Sequence, residues 1–123
     1  MLLDELATLR EVRLNLLVLR CADPNATRRF YECLGVAFSE HAHGSGPVHY
    51  AHEDDDFVFE LYPAGAGGTD RAGVGLVIGD LEAAAEQLRE AGFNPDPIAE
   101  RPWGTTFVAR DPDGRRVEVQ ASA

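Results

Sequence analysis

Two segments of the chain repeat one pattern, and this internal duplication constrains the fold more than any other feature of the sequence. The first segment reads LVLRCADPNATRRFYECLGVAF and the second reads GLVIGDLEAAAEQLREAGF. When Asp23 is aligned with Asp80, Gly35 falls on Gly92. Each segment therefore predicts an apolar strand, a helix capped by aspartate, a glycine stop and a second strand.

Strand-like runs rather than further helices follow each predicted helix. The runs are VAFSEHA, PVHYAH and FVFELYP in the first half, and FNPDPIAE, TTFVAR and RRVEVQ in the second. The sequence thus predicts an α+β fold in which a βαβββ module occurs twice. We expect a single domain over residues 1–123, with modules at 13–63 and 73–121 joined by a glycine-rich linker at 64–72.

The first residues of the chain favour a helix. Apolar residues recur there at helical spacing, at Leu2, Leu3, Leu6, Leu9 and Val12. We therefore expect an extra N-terminal amphipathic helix. This stretch lacks the basic start of a signal peptide and the length of a membrane span, so we expect a cytoplasmic protein without a membrane partner.

The charge balance narrows the range of partners. Eleven basic and twenty-one acidic residues give a formal net charge of −10, which argues against a nucleic-acid partner. The negative charge suits a cationic small ligand, although it also serves solubility. Cys21 and Cys33 are the two cysteines. Their spacing matches neither a zinc motif nor a disulfide framework, so we expect reduced thiols.

Several stretches together resemble a known superfamily. They are LRCADPNATRRFYECLG, VFELYP, VIGDLEAAAEQLREAGF and WGTTFVARDPDGRRVEV, and the first contains an FY-x-x-LG pattern at Phe30, Tyr31, Leu34 and Gly35. In order and spacing they resemble the vicinal oxygen chelate superfamily of glyoxalase I, bleomycin-resistance proteins and extradiol dioxygenases, over about residues 13–120. The resemblance implies curved mixed sheets that form a pair of half-barrels around a small-molecule pocket, usually in a homodimer.

The resemblance also implies where a metal would bind. Metal-using members place ligands on the first and last strands of each module, at positions that correspond to Leu16, Glu60, Gly73 and Glu118 here. Leucine and glycine have no donor atom, so we expect no cofactor, although Glu60 and Glu118 remain possible ligands of a divalent metal. The alternative to a metal-free binding protein is therefore a metal-dependent lyase, isomerase or dioxygenase with an atypical ligand set.

Strand alternation selects the residues that face the predicted pocket. Arg20 shares a strand face with Leu16, and Glu60 shares one with Tyr62 while Phe57, Phe59 and Leu61 line the other. Arg20 and Tyr62 are predicted ligand-binding residues, whereas Glu60 and Glu118 are candidate general acids or bases. Arg20 could instead pair with Glu60, and Glu60 could be a structural carboxylate.

One histidine and the single tryptophan complete the predicted site. His49, in PVHYAH, is a candidate proton shuttle, with an ordinary strand-edge histidine as the alternative. Trp103 directly precedes Gly104 and a strand, so its indole could stack on a flat or cationic ligand, or could pack in the core or at a dimer contact. His41 and His43 have a spacing compatible with metal binding, but so short a pattern is unspecific.

Overall fold

The computed structural model of the protein describes residues 12–123. The predicted N-terminal helix falls on residues outside this range, except for Val12. In the first module the elements are β1 (Leu16–Cys21), α1 (Pro24–Cys33), β2 (Ser39–His41), β3 (His49–Asp54) and β4 (Phe57–Pro63). In the second they are β5 (Val74–Ile78), α2 (Leu81–Glu90), β6 (Ala99–Arg101), β7 (Gly104–Arg110) and β8 (Arg116–Ala121).

Each module folds into its own four-stranded mixed sheet. The strand orders are β1-β4-β3-β2 and β5-β8-β7-β6. In both sheets the first strand runs parallel to the last, and the remaining neighbours are antiparallel. The predicted α+β fold with two βαβββ modules is confirmed, and both sheets are open rather than closed barrels.

Matching caps explain why the duplicated sequence forms two helices of equal length. Asp23 and Asp80 both take the extended backbone of an N-cap, and their carboxylates accept hydrogen bonds from first-turn N–H groups. Gly35 and Gly92 follow the helix ends with φ of 96° and 92°. A side chain at either glycine would be strained, so the glycine stops are required by the backbone.

One apolar core joins the two modules. Buried residues recur at i, i+3 and i+4 along both helices, at Thr27, Phe30 and Tyr31 and at Leu81, Ala84, Ala85 and Leu88. The helix-facing sides of both sheets add Leu19, Leu61, Phe107, Val117 and Val119 to the same cluster. Phe30 of α1 meets Phe93 of the second module edge to face, with ring centroids 5.1 Å apart. The side of each sheet that faces away from its helix therefore lies outside this shared core.

A buried charge network also holds the modules together. The fully buried Arg115 side chain donates to Asp70 of the linker at 2.7 Å and to the buried Asp111 at 2.9 Å. Tyr31 of the first module donates its hydroxyl to Asp111 at 2.9 Å, and burial together with Asp111 raises the pKa of this hydroxyl. The guanidinium of Arg115 also binds the carbonyl oxygen of Arg20. This network, which we call the Arg115 junction, thus joins four segments: the linker, α1, β1 and the β7–β8 turn.

Two strands are shorter than the sequence runs suggest. The run FNPDPIAE, residues 93–100, contributes only Ala99 and Glu100 to β6, because Pro95 and Pro97 lack the N–H that a strand ladder uses. Likewise, only Ser39–His41 of the run VAFSEHA forms β2. Both short strands lie at sheet edges, where few backbone groups need a partner.

Both cysteines are free thiols, as the sequence predicts. Cys21 is buried and Cys33 is partly buried. Burial is the main cause that raises the pKa of each thiol, so neither has the thiolate character of a reactive cysteine. Among the described residues, no helix is long and apolar enough to cross a membrane.

Candidate functional site

Four of the predicted site residues lie together on one face of the first sheet. We call the side of this sheet that faces away from α1 the first open face. Arg20 on β1 is directly opposite Tyr62 on β4, and Glu60 follows the same alternation two residues earlier. His49 begins the neighbouring strand β3. The structure therefore brings Arg20, His49, Glu60 and Tyr62 together.

The Tyr62 ring is enclosed by two of these neighbours. His49 stacks on it with ring centroids 4.1 Å apart and planes 11° apart. The Arg20 guanidinium carbon lies 5.1 Å from the centre of the same ring. Since β4 lies between β1 and β3, the two groups approach Tyr62 from opposite sides. An incoming aromatic ligand would have to displace one of them to stack on Tyr62.

His49 is the most buried polar residue of this face. It is 2% exposed, and its Nδ1 lies 3.3 Å from the Pro47 carbonyl oxygen, which can only accept a hydrogen bond. A proton on Nδ1 leaves Nε2 of the neutral ring as an acceptor for the Tyr62 hydroxyl, 3.2 Å away. The Glu60 carboxylate is 3.6 Å from the same Nε2. The His49 Nε2 therefore lies within reach of both Tyr62 and Glu60.

Two further histidines extend this group. His41 is paired with His49 across β2 and β3, and their ring centroids are 5.7 Å apart. His43 lies in the loop after β2, 5.2 Å from the His49 ring. Arg20, Tyr62 and the three histidines thus form one cluster of rings in contact, with the guanidinium at one end.

The other two predicted residues meet on the second sheet. We call the side of this sheet that faces away from α2 the second open face. Trp103 lies in the turn between β6 and β7, and its indole Nε1 donates to Glu118 Oε1 at 2.9 Å. Arg116 lies 3.3 Å from the other carboxylate oxygen of Glu118. Trp103 nevertheless remains 56% exposed.

Gln120 fixes the backbone below the indole. Its side-chain amide donates to the Trp103 carbonyl oxygen at 2.8 Å. The next residue is Gly104, with φ of 139°, and a Cβ there would lie 2.8 Å from the Gln120 amide nitrogen. Only glycine fits this position without strain. Sequence reasoning missed Gln120, although it shares the strand face of Glu118 in the β8 alternation.

The donor set at the family's metal positions does not fit a divalent ion. Leu16 begins β1 and Gly73 precedes β5, and neither supplies a donor atom. Glu60 and Glu118 lie on different sheets, where each already has hydrogen-bonding or charged partners. Within residues 12–123, no three histidine, cysteine, aspartate or glutamate side chains group so that they could hold a metal.

The six predicted residues therefore form two groups. Within the described chain, no hydrogen bond, ion pair or ring contact links Arg20, His49, Glu60 and Tyr62 to the pair of Trp103 and Glu118. Each group has its own open face, outside the shared core. The two faces offer different chemistry, because the first is rich in imidazole and the second presents an exposed indole beside a carboxylate.

Known proteins resemble the chain in sequence and in fold. A family model described as the Glyoxalase/Bleomycin resistance protein/Dioxygenase superfamily matches residues 13–119. No curated protein sequence gives a significant match.

Solved structures share the fold at low sequence identity. TnmS3, an antibiotic binding protein from Streptomyces sp. CB03234, superposes with a TM-score of 0.73 at 20% identity, covering 91% of this chain and 97% of that one. Oxidase ChaP-H1 gives a TM-score of 0.72 at 23% identity, with coverages of 91% and 97%. The integron cassette protein VCH_CASS1 from the mobile metagenome of V. Cholerae gives 0.67 at 26% identity, with 91% and 96%.

Proposed function

Because the chain belongs to the Glyoxalase/Bleomycin resistance protein/Dioxygenase superfamily, we propose that it binds a small planar molecule on its second open face, without a metal ion. The single observation that carries this proposal is Trp103. A large aromatic side chain that is more than half exposed is normally free to rotate. Here, the indole is fixed at Nε1 by Glu118 and at its backbone by Gln120.

A fixed, exposed indole suits stacking. Its orientation is set before a ligand arrives, so binding costs less side-chain entropy than ordering a mobile ring would. The electron-rich face of tryptophan attracts cations. The Glu118 carboxylate beside it carries a negative charge, which the exposed Arg116 offsets in part. The chain's net charge of −10 also attracts cations, over a longer range. We therefore infer a planar aromatic cation as the ligand class.

Two further observations support a metal-free binding protein. The positions of Leu16 and Gly73 supply no donor atoms, so the family's polarisation of substrate oxygens by an ion has no ligand set here. TnmS3, which shares the fold, is described as an antibiotic binding protein. A metal-dependent lyase, isomerase or dioxygenase activity would require Glu60 and Glu118 to bind an ion from separate sheets.

The open sheets support a homodimer. β1 and β5 are edge strands, and exposed apolar side chains lie along or just before them, at Leu14, Leu16 and Val77. Exposed apolar edges of this kind favour pairing with another chain. In a dimer, the first open face of one copy could be covered by the second open face of its partner. Sedimentation equilibrium should give twice the mass of one chain, and a monomer at micromolar concentration would contradict the dimer.

The ligand class can be tested by calorimetry. Proflavine, a planar aromatic cation, should bind saturably in the presence of EDTA, and the planar anion naphthoate should bind at least about tenfold more weakly. Glu118→Gln keeps an acceptor for the indole but removes the charge, so proflavine affinity should fall about fivefold, which corresponds to about 1 kcal/mol. Glu60→Gln, the matched change on the first open face, should leave it within about twofold. Binding that appears only after a divalent metal is added would contradict the proposal.

A second candidate function is proton transfer at His49. Its Nε2 lies close to both Glu60 and Tyr62, and the group is buried, which is the arrangement of a general base with an orienting partner. In that case a ligand would also be chemically altered. Incubation of a binding ligand with the protein, followed by mass spectrometry, should then show a product that His49→Gln fails to make.

A further inference from the structure

We propose that a cleft beside the Arg115 junction binds the carboxylate or phosphate group of a small anionic molecule. The cleft has a volume of about 350 Å³, and its charged lining residues are Asp70, Arg71, Arg110, Asp113, Arg115 and Arg116. We call it the arginine cleft. It adjoins the Trp103 platform, because Arg116 at its edge pairs with Glu118, but the proposal does not rest on the function proposed above.

The arginine cleft concentrates guanidinium groups on an acidic protein. Four arginines and two aspartates line it. When Asp111 and Glu118, which pair with two of these arginines, are included, the local charge is 4 − 4 = 0, against −10 for the whole chain. A local concentration of guanidinium groups on so acidic a protein attracts anions, and each guanidinium can form two parallel hydrogen bonds to a carboxylate or phosphate.

The four arginines divide into one that shapes the cleft and three that can bind. The Arg115 guanidinium is fully buried and already bound to Asp70, Asp111 and Asp113, so it fixes the wall. Arg71, Arg110 and Arg116 are exposed. Arg116 has one ion pair, to Glu118 at 3.3 Å. Among residues 12–123, Arg71 and Arg110 have no ion-pair partner, so their donors are available to an anion.

The strand register gives a second, independent reason to expect an anion. Arg110 on β7 is directly opposite Arg116 on β8. Like charges directly opposite each other in an antiparallel pair destabilise the sheet. Both side chains are exposed at the cleft, so packing does not force either position to be arginine, and within the part of the chain that the structure describes only Arg116 has a carboxylate partner, Glu118. An anion held between the two guanidinium groups would convert this repulsion into attraction.

Binding can be measured with simple probes. Calorimetric titrations of inorganic phosphate and of succinate into the full chain, at constant low ionic strength, distinguish a phosphate group from a carboxylate as the preferred ligand. We expect saturable millimolar binding of at least one of them. Arg110→Gln combined with Arg71→Gln should weaken it at least about tenfold. Arg89→Gln, which removes one guanidinium from the exposed side of α2, should change it less than about twofold.

Thermal unfolding supplies a second readout. Without added anion, Arg110→Gln should raise the melting temperature, because the repulsion with Arg116 is removed. Added phosphate should then raise the melting temperature of the wild type and of Arg89→Gln more than that of Arg110→Gln. The Arg89→Gln control accounts for the general stabilisation that phosphate gives to any folded protein. The proposal would be overturned if neither phosphate nor succinate bound saturably. It would also be overturned if the Arg71→Gln, Arg110→Gln double variant bound the probe as tightly as the wild type.

Discussion

The two open faces are built on the same scaffold and yet present opposite kinds of surface. Both sheets have the same strand order, and both place a glutamate in the last strand, at Glu60 and Glu118. On the first face, His49, Tyr62 and Arg20 stack on one another, so the aromatic surface is already covered. On the second face, the hydrogen bond to Glu118 leaves most of the indole exposed.

This difference shows that a duplicated fold does not duplicate chemistry. Equivalent glutamates acquire their roles from neighbours that the scaffold does not dictate. Glu60 is next to a buried imidazole, with its carboxylate 3.6 Å from the His49 Nε2. Glu118 is next to an indole N–H and a guanidinium, where it fixes orientation and contributes charge. Function must therefore be argued separately for each face.

The largest expected effect concerns the junction that holds both faces in one molecule. Arg115→Met leaves Asp111 and Asp113 buried without their counter-charge, so the free energy of unfolding should fall by about 3–5 kcal/mol. Arg13→Gln, which removes an exposed ion pair to Asp56, should cost less than about 1 kcal/mol. Urea unfolding measures both. If both variants lowered the free energy of unfolding equally, the junction would contribute no more than a surface ion pair. If Arg115→Met did not fold, Asp70→Asn would provide a milder test of the same network.

The next effect separates the two faces directly. Gly104→Ala should lower the free energy of unfolding by about 1–3 kcal/mol, because φ of 139° is strained for alanine and its Cβ would collide with Gln120. It should also loosen Trp103, seen as a higher fluorescence quenching constant for acrylamide. Gly67→Ala, where a Cβ meets open space, should leave both quantities nearly unchanged. If Gly104→Ala were as stable and as weakly quenched as the wild type, Trp103 would not be fixed as described.

A smaller effect compares the two helix caps. The Asp23 carboxylate accepts from the N–H groups of Asn25 and Ala26, whereas that of Asp80 accepts only from Ala83. Alanine at either position should cost about 1 kcal/mol, and Asp23→Ala should cost the more of the two. Urea unfolding of the two variants gives the order, and a larger loss for Asp80→Ala would contradict the cap geometry.

The smallest effect is a pH dependence. Hydrogen bonds from the Arg115 side chain are the main reason why the pKa of Asp70 is held below its usual value, against the opposing effect of partial burial. The folded state therefore binds this proton less readily than the unfolded chain, so the contribution of Asp70 is present above about pH 4 and is lost as the pH falls further. Asp70→Asn should flatten the stability profile between about pH 4 and pH 2. An unchanged profile in this variant would assign the acid sensitivity to other carboxylates.

The fold could be predicted from the sequence because its signals are local and occur twice. An aspartate cap, a helical apolar period and a glycine stop each follow from a few neighbouring residues, and Asp23, Gly35, Asp80 and Gly92 all have the predicted role. The run that contains Pro95 and Pro97 predicts too long a strand, because these two residues lack the N–H groups that a strand ladder needs.

The arrangement of the site is harder to predict because it depends on contacts between distant residues. Strand alternation gives Glu60, Tyr62 and Arg20 a common face, as the structure has them. The alternation does not predict which ring stacks on which. Nor does it predict the buried hydrogen bond between Tyr31 and Asp111, which are 80 positions apart in the sequence, or the pairing of Asp111 with Arg115. Those contacts arise only when both modules pack on one core.

The most direct test of the account compares one aromatic residue from each face. Proflavine is titrated by calorimetry into the wild type, Trp103→Ala and Tyr62→Ala under identical conditions. We predict that Trp103→Ala weakens binding at least about tenfold, whereas Tyr62→Ala changes it less than about threefold, because only the indole has a free face. Loss of affinity in Tyr62→Ala with unchanged binding in Trp103→Ala would contradict the assignment of the ligand platform to the second open face.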